Sequence, residues 1–240
     1  MSRARAQAWL CDKLGLNFPY VPMGNIDSLH LFGDTELMIL AMYEHNKKRW
    51  RNVLDIGANL GLHSIIMSRC GFNVKAYEPD YEHFSRLLAN LQANECSSVK
   101  PYMAAVSTSD GTARFVRVHN NLTGNHLEGY KNSYGPKDTV LVPTVDCRKL
   151  WPGADFAKID CEGNEAELCS TLTVQDMKHL ELVLEVRNEA NAMSIYRHFT
   201  ELDVPMWSQK HEWYQVKSFS HMPHVNRQGS LFVGHRGPWE

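Results

Sequence analysis

Hydrophobic spacing changes near residue 50, and that change divides the chain. From residue 1 to about 48 the pattern is helical, in two pieces joined by a loop bearing Pro19, Pro22, Gly24 and Gly33. The second piece opens at Asp34-Thr35-Glu36, which supplies a cap and an early acid before Leu37, Ile39, Leu40 and Met42. Beyond it, short apolar runs alternate with amphipathic stretches, predicting a parallel sheet built from strand–helix–strand units. Core strands are expected at Asn52–Ile56, Asn73–Tyr77, Lys100–Val106, Phe156–Asp160 and Glu181–Val186. Helices are expected over Leu62–Cys70, after Asp80, from Asn164 and over Ala192–Phe199. Gly71 stands where a left-handed helix end is wanted. The helix capped by Asp80 carries Phe84, Leu87, Leu88 and Leu91 at i, i+3, i+4, i+7 spacing, one apolar face. Gly111–Val118 and Thr139–Val145 predict strands flanking a polar loop, Asn120–Asp138, and Trp213–Lys217 and Ser230–Val233 predict the last two. The expectation is one α/β unit, with a helical segment 1–48 packed on a core of residues 49–240.

Composition narrows the function classes. A chain of 240 residues, 43% hydrophobic and 22% charged, has enough apolar material for a sizeable core. The formal net charge is −2, and no block of like charges exceeds Lys47-Lys48-Arg49. A broad basic face for nucleic acid is therefore not expected. No run of about 18 apolar residues exists, so no membrane span is expected. Arg3 and Arg5 are followed by no continuous apolar stretch, which argues against a secretory signal and for a cytoplasmic location. The six cysteines form no C-x-x-C pair and read as reduced thiols. Without secretion, the sequon Asn121-Leu122-Thr123 carries no consequence.

The candidate chemistry begins at Val53-Leu54-Asp55-Ile56-Gly57-Ala58-Asn59-Leu60-Gly61, a strand running through a glycine turn into a helix. Gly57 and Gly61 permit a sharp bend and a close approach of backbone to a ligand at the helix N-terminus. A dinucleotide site would read G-x-G-x-x-G, its second glycine admitting a pyrophosphate. Here that position is Asn59, so the turn suits a cofactor lacking one. Tyr77-Glu78-Pro79-Asp80 ends the next strand, and Glu78 follows Asp55 by 23 residues, the distance that brings an acid to a ribose. The plainer alternative is that Glu78 and Asp80 only cap the following helix.

These residues resemble motif I and the ribose acid of class I S-adenosylmethionine methyltransferases. The runs DIGANLGLHS, YEPD, MAAVSTSDG, FAKIDCEGNE and LVLEVRNE resemble, in wording and order, the FkbM family of O-methyltransferases, over roughly residues 33 to 190. The resemblance implies a Rossmann-like sheet of seven mostly parallel strands, the last antiparallel, with helices on both faces. It also implies S-adenosylmethionine as cofactor. Asp55 and the backbone around Gly57, Ala58 and Gly61 would hold the methionine moiety, with Asn59, His63 and Ser64 close by. Glu78 would hold the ribose beside Pro79, and Ala105 and Val106 would lie by the adenine. Glu36 sits where the family carries an acid before motif I.

Methyl transfer to a hydroxyl asks for alignment and a base. Lys158-Ile159-Asp160-Cys161-Glu162-Gly163 puts Asp160 and Glu162 at one strand end, and Glu185 ends the next core strand. Clustered carboxylates repel, so one is expected to hold a proton or be ready to accept it. Asp160 only touching the sulfonium or capping a helix, Glu162 bonding backbone, or Glu185 pairing with Lys158 or Arg187 are the plainer alternatives. His63, His119, His126, His221 and His224 are further base candidates. No H-E-x-x-H spacing occurs, so no dedicated metal site is expected, and a divalent ion on the carboxylates is the remaining metal option. Trp207, Trp213 and Tyr214 are expected to pack the last strands, with stacking on a sugar as the alternative.

The resemblance implies an acceptor hydroxyl on a sugar, glycan or small natural product. Methylation of an RNA cap ribose competes less well. Asp160 would serve a Lys-Asp-Lys-Glu set there, but Arg187 would replace a lysine and no final glutamate follows. A methyltransferase-like binding module without turnover is the third class. No feature specifies an oligomeric state.

Overall fold

Alternation along the central strands sends successive side chains to opposite faces of one sheet, so an apolar layer forms on each side. The structure, a computed structural model, describes residues 2–23, 26–119, 124–130, 132, 135–225 and 228–240. Gly24 and the sequon Asn121-Leu122-Thr123 lie outside them. Its elements run α1 (Arg3–Leu14), β1 (Pro22–Met23), β2 (Ile26–Asp27), α2 (Asp34–His45), β3 (Asn52–Ile56), α3 (Leu62–Arg69) and β4 (Asn73–Tyr77). Then follow α4 (Tyr81–Ala93), β5 (Val99–Tyr102), β6 (Ala105–Ser107), β7 (Gly111–Val118), β8 (His126–Leu127) and β9 (Lys137–Asp146). The chain ends with β10 (Phe156–Ile159), α5 (Glu165–Ser170), α6 (Val174–Met177), β11 (Glu181–Glu185), α7 (Glu189–Glu201), β12 (Met206–Ser208), β13 (Tyr214–Gln215) and β14 (Ser230–Val233).

The main sheet has strand order β13-β12-β14-β11-β10-β3-β4-β5. Strands β5, β4, β3, β10 and β11 are parallel, and β14 runs antiparallel to β11. The expected seven strands are therefore present, with short β13 as an eighth at the edge. Val53, Val74, Phe156 and Val183 face an apolar layer shared with Ala6 of α1, Leu40 and Tyr43 of α2, Ile65 of α3 and Leu87 of α4. Leu54, Ala157, Leu182 and Leu184 face the other layer, with Leu168 of α5, Met177 of α6 and Ile195 of α7. A separate four-stranded sheet, order β6-β9-β7-β8, has its own small core of Ala105, Phe115, Leu127 and Val142. No helix among the described residues is long and apolar enough to cross a membrane.

Several boundaries differ from the sequence expectation, each for a local reason. Lys100–Val106 is two strands: Ala104 N–H donates to the Tyr102 carbonyl at 3.0 Å, and the turn diverts Ala105–Ser107 into the second sheet. Trp213–Lys217 shrinks to Tyr214–Gln215 because Glu212 and Trp213 adopt left-handed backbone, at φ 53° and 61°. Met206–Ser208, which pairs with both β14 and β13, is a strand that the pattern did not indicate. Gly33, not Asp34, stands at the N-cap of α2, and no side chain bonds there. Leu88 is 44% exposed, so the buried stripe of α4 narrows to Leu87 and Leu91, with Phe84 partly buried beside them. Between α1 and α2 the chain makes the β1–β2 hairpin and a short 3-10 helix, Ser28–Phe32.

Candidate active site

The turn after β3 is tight enough to demand glycine. Gly57 has φ 79°, and a Cβ there would stand 1.8 Å from the Asp160 carbonyl oxygen. Its N–H and that of Ala58 both donate to the Tyr77 carbonyl, at 3.0 and 2.9 Å, which ties the turn to the end of β4. Gly61, at φ 89°, starts α3. Between them Asn59 is left-handed at φ 52°, and its N–H donates to Glu78 Oε2 at 2.8 Å. The other Glu78 oxygen accepts from Asp80 N–H at 2.8 Å. Burial pushes the Glu78 carboxyl up to about 8, against the pull of those two N–H groups.

An open cleft runs over this turn across the carboxyl ends of the parallel strands, where open α/β sheets place their ligands. Glu36, Gly57, Ala58, Asn59, His63, Glu78, Pro79, Ala105, Val106, Asp160, Glu162 and Glu185 all line it. Asp55, Gly61 and Ser64 are not among its lining residues. Asp55 is fully buried, accepts from Ser64 Oγ at 2.5 Å, and faces Lys158 Nζ at 3.5 Å. Lys158 also donates to the Gly57 carbonyl at 3.0 Å and lies 3.6 Å from Asp160. Burial pulls the Lys158 ammonium down, but Asp55 and Asp160 outweigh it and hold the proton more tightly than usual.

Glu36 reaches the cleft from α2. Its carboxylate contacts His63 Nε2 at 3.0 Å, and His63 Nδ1 contacts the Tyr43 hydroxyl at 2.8 Å. The carboxylate can only accept, so Nε2 carries a proton. With a neutral ring, the buried tyrosine donates to Nδ1.

Opposite, three carboxylates surround Arg187. Its Nη2 lies 2.7 Å from Glu162, 3.5 Å from Asp160, and bonds Glu185. Burial pushes the Asp160 carboxyl up, but Lys158 and Arg187 overcome this and hold it well below the usual carboxylate range. Glu185 goes the other way, raised by burial and by the charge on Asp160. The two carboxyls are therefore driven apart, Asp160 toward the ionised form and Glu185 toward the protonated one. Glu162 is left-handed at φ 62°, in a turn where Cys161 and Gly163 N–H groups donate to the buried Glu165 carboxylate at 3.0 and 3.1 Å. Among the described residues, no group of three or more His, Cys, Asp or Glu is arranged to hold a metal ion.

The second sheet roofs the cleft with Phe115, Asn125 and Leu127. It is latched to the Glu78 end through Asp80. That buried carboxylate caps α4 and also takes Arg117 Nε at 2.7 Å and Asn125 Nδ2 at 3.1 Å. His30 and His83 line the cleft as well, while His119, His126, His221 and His224 do not. Trp207 packs edge-on against Phe232, Trp213 is buried, and Tyr214 is exposed; none of the three lines the cleft. Four buried cleft atoms have no hydrogen-bond partner among the described residues: Asn59 Oδ1, His83 Nε2, Asn164 Oδ1 and Arg187 Nε.

No protein-family model matches the chain, and no curated protein matches it. Solved structures do. One of the METTL16 MTase domain, "delta-N", is 13% identical with a TM-score of 0.53, over 98% of this chain and 96% of that one. A second crystal form of that domain is also 13% identical at TM-score 0.53, over 98% of this chain and 79% of that one. "Human methyltransferase 10 domain containing protein" is 12% identical at TM-score 0.52, over 98% and 97% of the two chains. At such identities the likeness is one of fold, and the fold is the Rossmann-like class I methyltransferase fold.

Proposed function

We propose that the protein is an S-adenosylmethionine-dependent methyltransferase acting on an uncharged hydroxyl of a sugar, glycan or small natural product. The observation that carries this is the charge of the cleft. Among the described residues, Glu36, Glu78, Asp160, Glu162 and Glu185 line it against Lys158 and Arg187 alone. An excess of carboxylates repels a pyrophosphate and suits a ligand bearing a sulfonium and an ammonium. Asn59 Oδ1, an acceptor without a partner, stands where a dinucleotide site keeps a glycine. The FkbM resemblance adds the hydroxyl acceptor.

In this reading Glu78, fixed by two backbone N–H groups, accepts the ribose hydroxyls. Glu36, oriented by His63 and Tyr43, takes the ammonium of the methionine moiety. The turn N–H groups at the start of α3 face its carboxylate. Pro79, Ala105 and Val106 flank the base. Asp55 and Ser64 act from behind, through Lys158 and the Gly57 carbonyl, and Gly61 lets α3 start. The bound sulfonium supplies an activated methyl group. Asp160, ionised between Lys158 and Arg187, faces the sulfonium and accepts a hydrogen bond from the acceptor hydroxyl, orienting it for attack while its proton passes to solvent. Glu162 and Glu185 hold Arg187 in place.

A methyl-transfer assay over monosaccharides, glycolipids and short RNAs, read by mass spectrometry, tests this. Transfer to a sugar hydroxyl is expected, with Asp160→Asn slower by roughly 100-fold or more. Near-wild-type rates in Asp160→Asn, Glu162→Gln and Glu185→Gln would remove the carboxylates from the chemistry. Transfer to RNA alone would replace the sugar reading, and transfer to nothing would favour a binding module.

A further inference from the structure

Asparagine at a helix N-cap normally bonds the first-turn N–H groups with its side chain. Asn164, the N-cap of α5, does not: its side chain makes no capping bond. It turns instead into the cleft, where it is 1% exposed. Its Nδ2 donates to the Val106 carbonyl at 3.2 Å. That bond fixes the amide, because only the NH2 group can face a carbonyl. The carbonyl oxygen of Asn164 is left buried without a partner among the described residues. A buried acceptor in this state asks for a donor from a ligand.

The surroundings say what kind of donor. Val106, bonded to Asn164, lines the cleft together with Ala105, Phe115 and Leu127, which pack as one small apolar cluster, and apolar side chains suit the faces of a flat ring. The Glu78 carboxylate, the ribose acid of the reading above, lines the same cleft.

We infer that Asn164 reads the base of the cofactor: its Oδ1 accepts a hydrogen bond from the exocyclic 6-amino group of adenine. A 6-oxo purine presents an acceptor at that position, oxygen against oxygen, and is rejected. This rests on the cofactor assignment proposed above. It adds a specificity-determining residue on a strand–helix turn far in sequence from the glycine turn.

Calorimetry with two ligands tests it, S-adenosylhomocysteine and its deaminated 6-oxo counterpart, S-inosylhomocysteine. The wild-type chain is expected to prefer the adenosyl compound on the order of 10- to 100-fold. In Asn164→Ala that preference collapses to about threefold or less. Asn164→Leu, similar in shape and without an acceptor, loses it likewise and serves where the alanine chain does not fold. Equal binding of both ligands by the wild type would overturn the inference and leave the cofactor reading intact. So would an undiminished preference in Asn164→Ala. Failure of the adenosyl compound to bind at all would overturn both.

Discussion

At the Glu78 end of the cleft the polar groups are held by backbone; at the Asp160 end they are held by one another. Glu78 takes N–H groups from Asn59 and Asp80, and the turn beside it is closed by the Tyr77 carbonyl. Asp160, Glu162 and Glu185 meet instead on one guanidinium, Arg187. A backbone cradle is stiff, since its donors are fixed by the turn itself. A side-chain cluster is set by its protonation state and fails as a unit. The first suits a ligand always bound in one pose, and the second suits a site where a proton must move.

Breaking the backbone cradle has the largest expected effect. Gly57→Ala would put its methyl group 1.8 Å from the Asp160 carbonyl oxygen, in a left-handed conformation. Denaturant unfolding should register a loss of about 4 kcal/mol or more, with cofactor binding abolished. A melting curve like that of the wild type would mean the turn is looser than described.

Removing Arg187 tests the side-chain end. Arg187→Met leaves three acids facing one another, and unfolding should report about 3 kcal/mol lost near neutral pH. The depressed Asp160 carboxyl contributes stability above its ordinary range and loses it as pH falls. Without Arg187 much of that contribution is gone, so the variant should lose less than the wild type on acidification. Parallel pH profiles for the two chains would contradict the cluster.

The smallest effect concerns Glu78, whose carboxyl is raised from 4.5 to about 8. Its stability contribution is full below the lower value and lost as pH rises through the upper one. The unliganded wild type should therefore weaken between these values relative to Glu78→Gln, by a few degrees in Tm, roughly 2–4 °C per kcal/mol. A difference in Tm that is flat with pH would show the carboxylate to be ionised throughout.

The two ends also differed in how far they could be read from residues alone. The glycine turn, Glu78 and the cap at Asp80 lie close together in the chain, so local spacing exposes them. Short apolar runs likewise mark the central strands, because burial on both faces leaves no polar alternation. What escaped depends on distant partners. Arg117 and Asn125 meet Asp80 across 37 and 45 residues, and nothing local marks either as a latch. Arg187 was legible as a partner for Glu185, but not as the centre of three acids. Asn164 was legible as a helix start, whereas its free carbonyl depends on the path of β6. The split of Lys100–Val106 follows from a turn whose only local hint is Pro101.

The account turns on an acidic cleft that takes an unphosphorylated adenosyl sulfonium. Titrating S-adenosylhomocysteine, and separately NAD, into the wild-type chain and Glu78→Ala tests it most directly. One-to-one binding of the adenosyl compound is expected, weakened on the order of 100-fold in the variant, with no heat from NAD. Binding of NAD in its place, or no binding of the adenosyl compound, would contradict it.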